Sequence, residues 1–77
     1  MKELIEHIVK ALVDDPSQVS VTEVTTGADV LLELRVGPGD MGRVIGRGGK
    51  VISAMRTLAQ MCAAREAKRA HLELVED

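Results

Sequence analysis

The tetrapeptide Gly46-Arg47-Gly48-Gly49, set inside the run Val44-Ile45-Gly46-Arg47-Gly48-Gly49-Lys50-Val51-Ile52, constrains the fold of this chain more than any other stretch. Apolar helical residues stand on both sides of it, so two helices have to meet across four residues. Glycine, lacking a Cβ, permits so sharp a junction and lets main-chain N–H groups come close to an anion. Arg47 and Lys50 add two positive charges to the same turn, of the kind that draws in a phosphate backbone. The run reads as a phosphate clamp between two helices.

A chain of 77 residues is expected to form one domain, residues 1–77, near the lower limit at which a single core folds unaided. Its apolar runs are too short to span a bilayer, and the start Met1-Lys2-Glu3-Leu4-Ile5-Glu6 lacks the basic-then-apolar order of a secretion signal. A cytoplasmic location with no membrane partner is therefore expected. The single cysteine, Cys62, has no second thiol to pair with and no cysteine and histidine set at zinc-ligand spacing, so neither a disulfide nor a metal site is expected.

The formal charge of −2 argues at first against a polyanionic partner. The signs are segregated, however: residues 43–69 hold seven cations and one acid, whereas residues 1–42 hold three cations and eight acids. A basic segment bounded by acidic ones gives a local footprint for a polyanion without a basic protein. No Phe, Tyr or Trp occurs, which excludes modules that hold bases by stacking them on aromatic rings.

Leu4, Ile5, Ile8, Val9 and Leu12 recur at helical spacing and predict an amphipathic helix over 3–13, ended by Asp14-Asp15-Pro16. Val19, Val21 and Val24 lie in a β-branched stretch. After a turn near Gly27, Val30, Leu32, Leu34 and Val36 alternate with Leu31, Glu33 and Arg35, which predicts a hairpin with one buried face. Pro38 is suited to open a short helix, with Asp40 favouring its positive end, that runs to Ile45 and stops at Gly46. A second helix is expected from about Lys50 to Arg65, and Leu72 and Leu74, alternating with His71 and Glu73, form a closing strand. The order is αββααβ. A right-handed crossover then lays the last strand parallel to the second, giving an α+β fold with a three-stranded mixed sheet and helices on one face.

Other motifs fail on their chemistry. Gly37-Pro38-Gly39-Asp40-Met41-Gly42 matches a dinucleotide fingerprint, but Asp40 would oppose a pyrophosphate and no acid between residues 41 and 65 is present to bind a ribose. Gly49-Lys50 is no P-loop, since Val51 stands where Ser or Thr is required and Val44 where the first glycine belongs. His7 and His71 are far apart and have no evident Ser or Cys partner. Neither catalytic residues nor a cofactor are expected.

The glycine turn, with Val44-Ile45 before it, Lys50 after it, Ile52 on the next helix and this element order around it, resembles the KH domain in its type II, or prokaryotic, form. The resemblance covers almost the whole chain. The opening Lys2-Glu3-Leu4-Ile5-Glu6 and the segment Asp40-Met41-Gly42-Arg43 make it similar to small free-standing bacterial KH-domain RNA-binding proteins. It implies a non-enzymatic protein that binds single-stranded RNA, serving as an RNA chaperone or post-transcriptional regulator in the bacterial cytoplasm, often linked to cell elongation. Its implied partners, besides RNA, are a second copy of itself or a larger KH protein of the Jag/KhpB type.

Residue by residue, the resemblance implies that Gly46 and Gly49 frame the loop while Arg47 and Gly48 face phosphates. Arg43, Lys50 and Arg56 would flank the strand path, and Ile45, Ile52 and inward aliphatics such as Leu34 would line the groove for bases. Gly48 departs from the pattern, because members often carry a second polar or basic residue there. Arg65, Lys68 and Arg69 would fall in the loop before the last strand, on the opposite lip of the groove.

The last helix carries a second message. At about 100° per residue, its apolar positions, from Ala54, Met61 and Leu58 through Val51, Cys62 and Met55 to Ile52, Ala59 and Ala63, cover an arc of roughly 200°. A helix lying on one sheet needs about half of that. The surplus edge, Ala54, Leu58 and Met61, is a candidate dimer interface, unless the first helix buries it. An adaptor role, with the KH scaffold serving dimerisation and little RNA affinity, is the alternative function.

Overall fold

The computed structural model describes residues 1–76. The chain runs through α1 (Lys2–Leu12), β1 (Ser20–Thr26), β2 (Asp29–Arg35), α2 (Met41–Ile45), α3 (Lys50–Ala64) and β3 (Arg69–Leu74), with single 3₁₀ turns at Pro16–Gln18, Pro38–Asp40 and Arg47–Gly49. The expected αββααβ order, type II KH topology and three-stranded mixed sheet are present. Strand order is β1-β2-β3, with β1 antiparallel and β3 parallel to β2.

Register follows from the alternation in β2. Val21, Leu34 and Leu74 stand side by side, as do Leu32 and Leu72, and Val30 and Ala70. Residues two apart share a face of a strand, so one side of the sheet is aliphatic. Ile5 and Val9 from α1, Val44 from α2, and Ile52, Met55, Ala59 and Ala63 from α3 complete the core. Each fully buried large aliphatic side chain there contributes about 1.5–3 kcal/mol.

Several local expectations need correction. Arg69, expected in a loop, opens β3 opposite Asp29. Asp40 stands at the N-cap position of α2, but its side chain makes no capping hydrogen bond there. Its carboxylate accepts hydrogen bonds from the main-chain N–H groups of Asp14 (3.0 Å) and Asp15 (3.1 Å), so the residues that close α1 are held by a side chain from the other half of the sequence. Nearby, hydrogen bonds from the Ser17 and Gln18 side chains hold the Asp15 carboxyl below its ordinary pKa.

Candidate nucleic-acid interface

The path from β2 to the glycine turn is short. α2 is only five residues long and ends when Gly46, at φ +75° and ψ 173°, turns the chain away while its N–H still bonds to Gly42 O at 2.9 Å. A Cβ on Gly46 would lie 2.4 Å from Val51 Cγ2, so only glycine lets the turn close onto the first residues of α3. Gly48 (φ +63°) and Gly49 (φ +76°) also have left-handed backbones, but nothing crowds them. Their requirement is conformational rather than steric.

The turn offers an anion several donors at once. Gly49 N–H bonds to Gly46 O and Lys50 N–H to Arg47 O, whereas the N–H groups of Arg47 and Gly48 have no protein acceptor among the described residues. The N-terminus of α3 begins at Gly49 without a side-chain cap, and its helix dipole adds partial positive charge at the same place. Arg47 and Lys50 are exposed and make no ion pair among the described residues. Ile45, 36% exposed at the end of α2, sets an aliphatic surface beside them. Donors, charge and a small apolar shelf are what a sugar–phosphate strand needs.

The other expected residues are placed less simply. Ile52, 7% exposed, and Leu34, fully buried, belong to the core, so Leu34 offers no groove surface. Arg56 Nε donates to Leu72 O at 3.1 Å, laying its guanidinium on the outer edge of β3. Arg43 is engaged by acids: Nη2 meets Asp14 Oδ2 at 3.1 Å and Nε meets Asp40 Oδ1 at 3.6 Å. Arg65, Lys68 and Arg69 lie beyond the C-terminal end of α3, about 22 Å along that helix from the glycine turn, and Arg69 is bridged to Asp29 at 3.1 Å. Asp40 escaped notice as an anchor. Its partners lie 25 and 26 residues away in sequence, and the only local signal is a single acid just before a basic segment.

On α3, Ile52, Met55, Ala59 and Ala63 form the buried stripe, Val51 and Cys62 are half-buried, and Ala54, Leu58 and Met61 are exposed. The first helix does not cover the surplus edge. Leu58 is 40% and Met61 62% exposed, and with Cys62, Ala64 and Arg65 they line a shallow surface hollow.

A family model described as KhpA/KhpB, KH domain matches residues 2–74, which include every element and the whole glycine turn. The chain belongs to this family. Among KhpA/KhpB relatives, the RNA-binding protein KhpA of Clostridium acetobutylicum is 47% identical over 75 residues, covering 97% of this chain and 100% of the relative. Proteins of the same name from Clostridium perfringens and Caldanaerobacter subterraneus are 45% and 44% identical over the same length, each again covering 97% of this chain and 100% of the relative. No solved structure matches the chain significantly. No helix among the described residues is long and apolar enough to cross a membrane.

Proposed function

We propose that this chain is a non-enzymatic, single-stranded RNA-binding protein that holds the strand with a G-x-x-G phosphate clamp and serves in the cytoplasm as an RNA chaperone or post-transcriptional regulator. The observation that carries the reading is the pair of main-chain N–H groups, at Arg47 and Gly48, without acceptors among the described residues, between two cationic side chains and beside a helix N-terminus that has no side-chain cap. Phosphate contacts of this kind fix a strand without reading its bases. The absence of aromatic side chains removes the usual stacking platforms, so weak sequence preference is expected. Gly46–Gly49, Arg47 and Lys50 form the clamp, with Ile45, the edge of Ile52, and Arg56 along the strand path. The relatives' name, RNA-binding protein KhpA, supports RNA as the polyanion.

Replacing Arg47 and Gly48 together with Asp tests this. Gly48, at φ +63° and ψ 21° with open space around it, lies in a region that Asp enters more readily than most residues, so the fold is expected to survive. Two anions then stand where phosphates belong, and binding of a short single-stranded RNA, read by fluorescence anisotropy at fixed salt, is expected to disappear. A folded double variant that keeps its affinity would refute the clamp.

Self-association is a second reading that coexists with the first, as a homodimer or a heterodimer with a larger KH protein of the Jag/KhpB type. It is favoured by the exposed edge of Ala54, Leu58 and Met61 on α3. Methionine suits an adaptable contact. Joining two weak clamps raises affinity through effective concentration. A pure adaptor role would leave the clamp donors without a ligand.

A further inference from the structure

Asp40 is buried to 4% exposure, although it carries a charge. Removing a carboxylate from water is costly unless hydrogen bonds and a countercharge replace the lost hydration. Here the Asp14 and Asp15 N–H groups and the Arg43 guanidinium do so, at 3.0, 3.1 and 3.6 Å. Asp14 is exposed and Asp15 half-buried, so water is at hand for their N–H groups, which lie just past the end of α1. Satisfying those amides does not by itself require a buried carboxylate. What the carboxylate adds is a fixed joint between the end of α1 and the start of α2. From that joint, α2 reaches Gly46 in about 7–8 Å.

We infer that Asp40 is a positioning residue for the clamp: it locks α2 against the end of α1, setting the direction of the Arg47 and Gly48 N–H groups, and holds Arg43 away from the bound strand. Arg43 completes the lock by bridging Asp40 and Asp14, so its charge is spent within the protein. This deepens the RNA-binding reading and rests on it.

The test uses the full chain, isotope-labelled, with a short oligouridine as probe. Asp40→Asn keeps the shape but sets an amide N–H₂ against one of the main-chain donors. In RNA-free protein the variant is expected to shift the amide resonances of Arg47 and Gly48, and to weaken oligouridine binding about two- to tenfold, the worth of roughly one hydrogen bond. Unmoved clamp resonances in the folded variant would overturn the lock.

Arg43→Gln removes neither main-chain donor to Asp40 and, with circular dichroism confirming that it folds, gives an independent measurement. Its salt dependence of binding is expected to match the wild type. A slope shallower by about 0.7 would make Arg43 a phosphate ligand and overturn the inference. A wild type without RNA affinity would sink the RNA reading instead, and the RNA-free resonances of Asp40→Asn would still judge the lock by themselves.

Discussion

Gly46→Ala is expected to be the most damaging single-methyl change in the glycine turn, and the structure sets its size. The backbone at φ +75° and ψ 173° lies in a region that is essentially glycine's own, so any side chain there costs about 1–3 kcal/mol. The new Cβ would also stand 2.4 Å from Val51 Cγ2, 2.8 Å from Val51 Cβ and 3.0 Å from Val51 N. Relieving an overlap with both side chain and backbone costs about 1–3 kcal/mol more, for a total of about 2–6 kcal/mol. A domain of this length has about 4–12 kcal/mol of stability, so the variant should be marginal. Gly48→Ala is the control. Its left-handed backbone costs about 1–2 kcal/mol, and open space adds nothing. Urea denaturation followed by circular dichroism, at one protein concentration, measures both. If Gly46→Ala costs no more than Gly48→Ala, the turn is not held against Val51 and the distinction between a steric glycine and a conformational one fails.

Met61→Asp is expected to separate a self-associated wild type into folded monomers that bind RNA more weakly, as judged by analytical ultracentrifugation at tens of micromolar, roughly. A monomeric wild type at that concentration would assign the exposed α3 edge to no interface of this chain with itself. Ala67, at φ +57° in the loop before β3, occupies a conformation that suits glycine. Ala67→Gly should therefore be neutral or stabilising, by up to about 1 kcal/mol in urea denaturation, and a clear loss would mean that the Ala67 methyl packs usefully.

Patterns that repeat within a few residues were legible in the sequence, and contacts between distant segments were not. Strict alternation from Val30 to Val36 fixed which face of β2 is buried, and the glycine turn fixed where α2 ends, because both depend on local geometry. Asp40 was assigned to the nearest helix dipole, a local partner, while its actual donors at Asp14 and Asp15 become neighbours only once α1 and α2 have packed. Arg43 and Arg69 counted as free charge in the sequence for the same reason: Asp14 and Asp29 reach them through the fold. At the glycine turn, residue types and spacing announced the donors, but only the structure distinguishes Gly46, where a Cβ would meet Val51, from Gly48 and Gly49, which stand in the open.

Those internal ion pairs change how strongly salt should weaken RNA binding. Of the seven cations between residues 43 and 69, Arg43 and Arg69 are neutralised by acids, and Arg56 lies on a main-chain carbonyl. Arg47 and Lys50 remain at the start of α3, with Arg65 and Lys68 near its far end, about 22 Å away. A very short oligonucleotide spans only the first pair, so two or three phosphate contacts imply a slope of about −1.4 to −2.1 for log K against log salt. A strand long enough to pass both ends of α3 should give a steeper slope as Arg65 and Lys68 engage. Titrations of a short and a long oligouridine across a salt series measure both. A steep slope already present with the short strand would mean that the broad basic segment, rather than the glycine turn, carries the binding.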